Sequence, residues 1–148
     1  MTPPRSIDFG LPKNLDWAEL DWTEDGAPRS QRFDDIYFSR DGGLDEARAV
    51  FLTGCGLPDA WAGRRRFTVA ETGFGTGLNV LALLDLWRKA RPNSSQDGGG
   101  RLNIFSVEAY PMSRQEAARA LSAWPELADL AGMLTARWPR RASGLHRV

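Results

Sequence analysis

A glycine-rich string that joins a strand-like segment to a helix-like one is the feature that most constrains this chain. Residues 67–70 (Phe-Thr-Val-Ala) are typical of a short strand, and they lead directly into Glu-Thr-Gly-Phe-Gly-Thr-Gly at 71–77. Residues 78–89 are apolar nearly all round, which predicts a buried helix. A second strand is predicted at 102–107 and ends at Glu108. This order of elements is that of the first half of a nucleotide-binding β-α-β unit.

The three glycines of the string suit a turn that binds a ligand. Gly73, Gly75 and Gly77 let the backbone bend tightly and approach a ligand with no Cβ in the way. The helix that begins near Gly77 directs its free N–H groups and positive dipole end at the same ligand. Glu108 is placed to accept both hydroxyl hydrogens of a ribose. It lies 31 residues after Gly77, against a usual interval of about 20, and the polar loop at 93–100 accounts for the excess.

The charge of this string favours one class of ligand. The dinucleotide fingerprint G-x-G-x-x-G needs a glycine at position 78, where this chain has Leu78. Glu71, at the carboxyl end of the first strand, opposes a pyrophosphate and attracts a cationic amino-acid group. We therefore favour S-adenosylmethionine, which carries an ammonium and a sulfonium, over NAD or FAD. The alternatives are a glycine turn without a ligand and a fragment of a dinucleotide-dependent oxidoreductase.

Composition narrows the remaining classes of protein. The chain has 148 residues, enough for one domain with a single core. Its 19 Lys and Arg balance 19 Asp and Glu, which excludes a nucleic-acid clamp that works by bulk charge but leaves local patches open. The single cysteine, Cys55, excludes a disulfide framework and a cysteine-based zinc site, and we expect no metal centre. Without a long apolar run or a signal-peptide core, we expect no membrane contact and a cytoplasmic protein.

The first 65 residues are predicted to form a smaller unit that precedes the nucleotide-binding unit. Apolar and polar residues alternate over 18–22, and Asp25-Gly26 is typical of a tight hairpin turn. Residues 44–52 have helical spacing, and Gly54 supplies a stop. Later in the chain, Ser113 begins a capping box that predicts a helix to about Trp124. We divide the chain into a hairpin and helical cap at 1–65 and the Rossmann-like part at 66–148.

Three strings of the sequence together resemble one family. They are Phe-Asp-Asp-Ile-Tyr-Phe-Ser at 33–39, Gly-Leu-Asp-Glu at 43–46 with Val-Phe-Leu at 50–52, and Glu-Thr-Gly-Phe-Gly-Thr-Gly-Leu-Asn at 71–79. The resemblance is to the methyltransferase half of the bifunctional tRNA 5-methylaminomethyl-2-thiouridine biosynthesis proteins (MnmC) and their free-standing relatives. It implies a class I methyltransferase of α/β, Rossmann-like fold. That enzyme uses S-adenosylmethionine to methylate the aminomethyl group of the wobble uridine of tRNA.

The resemblance also implies roles for individual residues. Asp34, Asp35 and Tyr37 would line the cofactor or substrate side of the pocket, with Asp34 and Tyr37 as the residues that bind substrate; an exposed turn is the alternative for Asp34 and Asp35. Asp35 is available as a proton acceptor, although nothing singles it out. For Phe33, Ile36 and Phe38 we expect core packing instead. The residues implied to hold the cofactor are Glu71, Gly73, Phe74, Gly75, Gly77, Glu108 and Ala109, with Tyr110 beside the adenine.

The sequence also departs from the family pattern. A doubly wound sheet takes about six strands, and the core sequence here offers two good candidates. The later acidic segment that carries the family's catalytic carboxylate has no counterpart, nor has the FAD-dependent oxidoreductase half to which the family is fused. We therefore expect an incomplete methyltransferase fold with reduced or no activity alone. The alternative is a non-catalytic remnant that binds S-adenosylmethionine weakly or not at all.

A few other side chains are candidates for contacts with RNA or for chemistry. The arginines at 64–66 and Arg137, Arg140 and Arg141 are candidates for phosphate contacts, with a solvated surface as the alternative. His146 lies in a tail without a clear pattern, and Cys55 lies in a Gly-Cys-Gly loop. We expect neither to take part in chemistry.

Overall fold

The computed structural model describes residues 16–90, 100–140, 142 and 144–148. The predicted polar loop at 93–100 lies outside this part except for Gly100. The described residues form a mixed α/β structure with one antiparallel and one parallel sheet. In chain order, the strands and α-helices are β1 (Leu20–Trp22), β2 (Pro28–Ser30), β3 (Asp35–Ile36), α1 (Gly43–Glu46), β4 (Arg66–Thr72), α2 (Leu78–Ala90), β5 (Arg101–Val107), α3 (Arg114–Leu121) and α4 (Ala128–Ala136).

The predicted hairpin is the first part of the antiparallel sheet. Strand β1 pairs with β2, with Leu20 opposite Ser30, and β2 pairs in turn with β3. The connection between β1 and β2 turns at Gly26, whose φ of 82° suits glycine. Ala18 ties this sheet to the rest of the chain, because its N–H donates to the carbonyl of Pro111 at 3.1 Å.

The parallel unit is β4, α2 and β5, as the glycine-rich pattern predicts. The two strands pair in parallel along their whole length, with Val69 opposite Ile104 and Thr72 opposite Val107. Because both strands end together, the residues that follow them lie at the same sheet edge. On β5, Phe105 and Val107 are 59% and 63% exposed, so this sheet has one apolar face that the described residues leave uncovered.

The helices and the inner sheet face enclose the core. Helix α2 contributes its buried first two turns, including Leu81 and Leu83, and α4 contributes Leu130 and Leu134. Trp61 and Trp124 are buried among them. Trp22, Trp87 and Trp138 pack partly buried against the same cluster. The tryptophans named here thus pack against the core.

Two local signals in the sequence correspond to observed helix ends. Helix α3 has the capping box, since Ser113 Oγ accepts from the N–H of Glu116 at 3.2 Å and Glu116 Oε2 accepts from the N–H of Ser113 at 2.8 Å. The helix predicted at 44–52 is split, because α1 continues as a π-helical segment, Ala47–Thr53, that ends at Gly54. No α-helix among residues 16–90 and 100–140 is long and apolar enough to cross a membrane.

Candidate functional site

The glycine string forms a left-handed turn between β4 and α2. Gly73, Gly75 and Gly77 have φ values of 81°, 52° and 80°, a region that favours glycine. The N–H of Gly73 donates to the carbonyl of Val107 at 2.8 Å, and the N–H of Gly77 donates to the carbonyl of Phe74 at 2.8 Å. The first of these bonds joins the turn to the end of β5. The turn is therefore fixed at the carboxyl edge of the parallel sheet.

Glu108, which follows β5, links the glycine turn to the loop after that strand. Its Oε2 accepts from the N–H of Gly75 at 2.8 Å, and its Oε1 accepts from the N–H of Tyr110 at 2.8 Å. The side chain is half-buried. A carboxylate has about four acceptor sites, so these two bonds leave capacity for the two hydroxyl hydrogens of a ribose.

A groove opens between these residues, and we call it the cofactor groove after the sequence prediction that a cofactor binds here. It has a volume of about 410 Å³ and is lined by Phe33, Gly73, Val107, Glu108, Ala109 and Tyr110. Three residues predicted from the sequence as cofactor ligands thus share one groove: Gly73, Glu108 and Ala109. A Cβ built on Gly73 meets nothing within 4 Å, so the backbone there is open to a ligand.

Glu71 is a half-buried carboxylate beside this turn. Its Oε1 is buried and has no hydrogen-bond partner, and the same is true of the hydroxyl of Ser106 on the paired strand. Burial raises the pKa of Glu71 above its ordinary value of 4.5, and the charge of Glu108 adds to the rise. The nearby Ser106 hydroxyl lowers that pKa in part, although its oxygen does not meet hydrogen-bond geometry.

We expect Glu71→Gln to stabilise the free protein at neutral pH. The raised pKa means that the folded state binds more protons than the unfolded state above pH 4.5, so stability falls as the pH rises through the folded pKa. A neutral amide avoids this cost, which for an unsatisfied buried group is about 1 kcal/mol or more. Thermal unfolding from pH 3 to 8 should show a melting temperature about 3 °C above wild type at neutral pH, with the difference vanishing in acid. An equal melting temperature at every pH contradicts this reading.

The groove lining does not include Tyr37, Glu71, Phe74, Gly75 or Gly77, which the sequence also predicts for the site. Phe74 and Tyr37 pack against the turn. The ring of Phe74 lies 5.1 Å from that of Trp138. Tyr37 covers Gly75 from outside, because a Cβ built on Gly75 lies 3.1 Å from Tyr37 Cδ1. Burial raises the pKa of Tyr37 above its ordinary value of 10.0, and the charge of Glu108 contributes. A substrate role for Tyr37 and a cofactor role for Phe74 stay predictions.

The acidic pair lies in the exposed β2–β3 turn and on β3. Asp34 has a left-handed backbone, with φ of 55°, and its side chain forms an ion pair with Arg29. Asp35 is exposed on β3, and its Oδ1 accepts from the N–H of Ile36 at 2.8 Å. Neither residue lines the cofactor groove. The exposed-turn alternative describes their positions here, and their roles toward substrate stay predictions.

The expectation of core packing is wrong for two of the three apolar residues in that string. Phe33 is 62% and Ile36 43% exposed, whereas Phe38 is buried at 7%. Phe38 packs edge-on against Trp124 at 4.5 Å. Phe33 sits in the β2–β3 turn and contacts Tyr110 instead, with ring centroids 5.7 Å apart. The turn carries its ring out of the core, which the local apolar pattern does not show.

A second groove, which sequence reasoning missed, adjoins the first. This hairpin groove has a volume of about 570 Å³ and is lined by residues 16–19, 30–33 and Tyr110. Phe33 and Tyr110 line both grooves. The guanidinium of Arg32 lies over the ring of Tyr110, 4.4 Å from its centroid. Arg32 and Tyr110 are far apart in sequence, so no local pattern predicts their contact. The one signal in the sequence is the Arg-Phe pair just before Asp34.

The remaining candidates lie apart from both grooves. Arg64 lies over the ring of Phe67 at 5.8 Å, and the exposed His146 contacts the carbonyl of Ala142 at 2.7 Å. Cys55 is an exposed free thiol. Arg141 lies outside the described residues. Within residues 16–90 and 100–140, no group of three or more His, Cys, Asp or Glu is arranged to hold a metal ion.

The described residues thus define a mixed α/β protein with a parallel β-α-β unit and a groove at its glycine turn. A solved structure with a similar fold is MNMC2 from Aquifex aeolicus, with a TM-score of 0.57 and 18% identity over 86% of this chain and 39% of that one. No family model matches the chain.

Comparison with curated sequences gives a more particular likeness. The tRNA 5-methylaminomethyl-2-thiouridine biosynthesis bifunctional protein MnmC of Caulobacter sp. (strain K31) is 58% identical over 131 residues, which is 88% of this chain and 22% of that protein. The protein of the same name from Maricaulis maris (strain MCS10) is 54% identical over 90% of this chain and 22% of its own length. The chain is a partial MnmC-like region that spans about a fifth of the length of these relatives.

Proposed function

We propose that this chain supplies the cofactor-binding part of an S-adenosylmethionine-dependent methyltransferase that acts on the aminomethyl group of a tRNA wobble uridine. The observation that carries the proposal is the carboxylate of Glu108, which bonds the N–H groups of Gly75 and Tyr110 and faces the cofactor groove. The name of the curated relatives, which refers to biosynthesis of a modified tRNA nucleoside, supports tRNA as the substrate. The bifunctional relatives also support cooperation with an oxidoreductase domain.

The residues around the groove fit this cofactor in charge and in shape. Glu71 has a buried oxygen without a partner, which suits the ammonium of an amino-acid group. The open backbone at Gly73 lets a ligand approach closely. The carboxylate of Glu71 beside the turn opposes a pyrophosphate, which argues against NAD or FAD. Glu108 would hold the ribose, and Ala109 and Tyr110 would border the adenine.

Methyl transfer to an amine requires mainly orientation of the two reactants. S-Adenosylmethionine, when bound, supplies a methyl group on a sulfonium centre. The turn at Gly73 and the carboxylate of Glu108 would fix the cofactor at the sheet edge. The exposed ring of Phe33 and the half-buried ring of Tyr110 contact each other, and they would border the path from solvent to the groove.

Calorimetric titration of the full 148-residue chain tests this proposal. We expect S-adenosylmethionine to bind with one-to-one stoichiometry and NAD to give no saturable heat. Gly75→Arg should abolish binding, because any side chain at Gly75 meets the Tyr37 ring at 3.1 Å and must shift the turn whose N–H donates to Glu108. NAD binding in place of S-adenosylmethionine contradicts the proposal.

The control is Gly63→Arg, which places the same residue at a remote glycine. Gly63 also has a positive φ, 70°, but a Cβ there meets nothing within 4 Å. This variant should bind as wild type does. Circular dichroism of both variants separates loss of the site from loss of the fold.

A further inference from the structure

The hairpin groove presents stacked aromatic and guanidinium groups to solvent. The guanidinium carbon of Arg32 lies over the ring of Tyr110, 4.4 Å from its centroid. Phe33 meets the same ring edge-on, at 66° between planes. Phe33 is 62% exposed, which is unusual for a large apolar ring that could pack inside. These groups form one wall of a groove of about 570 Å³, a volume typical of sites for small ligands.

The β2–β3 turn is built to hold this wall in place. Asp34 adopts a left-handed backbone with φ of 55°, a conformation that is uncommon for residues other than glycine. Its ion pair with Arg29 and the hydrogen bond from the N–H of Phe33 to Ser30 Oγ, at 3.3 Å, fix the turn. Strain of this kind persists where the surroundings hold it, often at binding sites. The turn thereby directs Arg32 and Phe33 toward Tyr110.

The charges of the groove indicate what kind of group fits it. Asp16 and Glu19 belong to a different segment of the chain from the turn that carries Arg32, and they line the same groove. Two carboxylates disfavour a phosphate inside it, whereas the N–H groups at the edge of a nucleobase are suitable donors to them. A flat guanidinium beside aromatic rings is the usual stacking partner of an unpaired base in single-stranded RNA.

We infer that the hairpin groove binds one unstacked base of single-stranded RNA, next to the cofactor groove. The inference rests on the proposed function, which makes RNA the substrate. Phe33 and Tyr110 line both grooves, so a base held in the first lies beside a cofactor held in the second. An apolar peptide side chain is the other occupant that aromatic rings accept, but it offers no hydrogen-bond donor to the two carboxylates.

Fluorescence anisotropy with a labelled uridine hexanucleotide tests this inference on the full chain. Uridine strands stack weakly on themselves, so their bases are free to bind. Phe33→Ala and Arg32→Ala should each weaken binding about tenfold, the effect of losing one stacking group. Phe105→Ala is the matched control, since Phe105 is 59% exposed on the parallel sheet, and it should bind as wild type does. Equal affinities for Phe33→Ala and Phe105→Ala overturn the inference, as does a wild-type chain that does not bind the hexanucleotide.

Two further measurements distinguish stacking on Arg32 from attraction by its charge, and the hairpin groove from the site of the cofactor. Arg32→Lys keeps the charge but loses the planar group, so it should bind nearly as weakly as Arg32→Ala. If Arg32→Lys binds the hexanucleotide with wild-type affinity, the inference that a base stacks on the Arg32 guanidinium is overturned. Saturating S-adenosylmethionine should not displace the hexanucleotide. Displacement would place the adenine in the hairpin groove and also overturn the inference.

Failure of this inference and failure of the proposed function give different results. Arg32 lines only the hairpin groove, so Arg32→Ala should bind S-adenosylmethionine as wild type does. If the wild-type chain binds the hexanucleotide through Arg32 and Phe33 but does not bind S-adenosylmethionine, the base site is supported and the proposed cofactor is wrong. If it binds S-adenosylmethionine and the RNA affinities of all variants are equal, the base site falls alone.

Discussion

Glu108→Ala is expected to weaken binding of S-adenosylmethionine at least 100-fold. The carboxylate makes two 2.8 Å bonds to the N–H groups of Gly75 and Tyr110, and in the proposed complex it also accepts the ribose hydroxyls. Hydrogen bonds to a charged group contribute about 1.5–3 kcal/mol each, and the loss of two corresponds to about 100-fold or more in affinity. Calorimetric titration of the variant measures the effect.

The matched control for this variant is Glu126→Ala. Glu126 is an exposed glutamate in the short Pro125–Leu127 segment and lines neither groove. It should leave the affinity within about twofold of wild type, since an exposed charge contributes little. An affinity of Glu108→Ala within a factor of three of wild type means that Glu108 does not hold the ligand.

Gly77→Ala is expected to destabilise the fold by about 2–5 kcal/mol. Gly77 has a φ of 80°, and a Cβ there lies 2.8 Å from Leu134 Cδ2 and 3.3 Å from Phe74 Cζ. The left-handed backbone costs alanine about 1–2 kcal/mol, and the forced shift of buried side chains costs about 1–3 kcal/mol more. Urea unfolding followed by circular dichroism gives the free energy of unfolding.

Gly132→Ala is the control that distinguishes the local packing at Gly77 from a general effect of replacing a glycine by alanine. Gly132 lies within α4, the helix that packs Leu134 against Gly77, and a Cβ there meets nothing within 4 Å. Alanine should stabilise the helix by about 0.5–1 kcal/mol. Destabilisation of both variants by the same amount contradicts the packing account at Gly77.

Much of the local structure is evident from the sequence because its causes are local. The capping box at Ser113, the glycine turn after β4 and the hairpin turn at Gly26 each depend on a few neighbouring residues. The observed strand β4, Arg66–Thr72, contains the predicted 67–70, and α2 matches the predicted helix to within one residue. The division of the chain at residue 65 stays a prediction.

The missed features depend on contacts between distant parts of the chain. Phe33 is apolar and was expected in the core, but its turn is drawn toward Tyr110, on the loop after β5. The hairpin groove joins residues 16–19, 30–33 and Tyr110, and no pattern within any one segment predicts that meeting. The π-helical turn at Ala47–Thr53 likewise differs from the regular helix that the apolar spacing indicates.

The central claim is that the glycine turn and Glu108 hold S-adenosylmethionine. A nuclear magnetic resonance titration of the ¹⁵N-labelled chain tests it most directly, because it reports which backbone N–H groups meet the ligand. With S-adenosylmethionine, the account predicts the largest shifts at Gly73, Gly75 and Ala109, and smaller ones at Gly63. NAD should leave all four unchanged. Shifts at the turn with NAD alone, or none there with S-adenosylmethionine, would contradict the account.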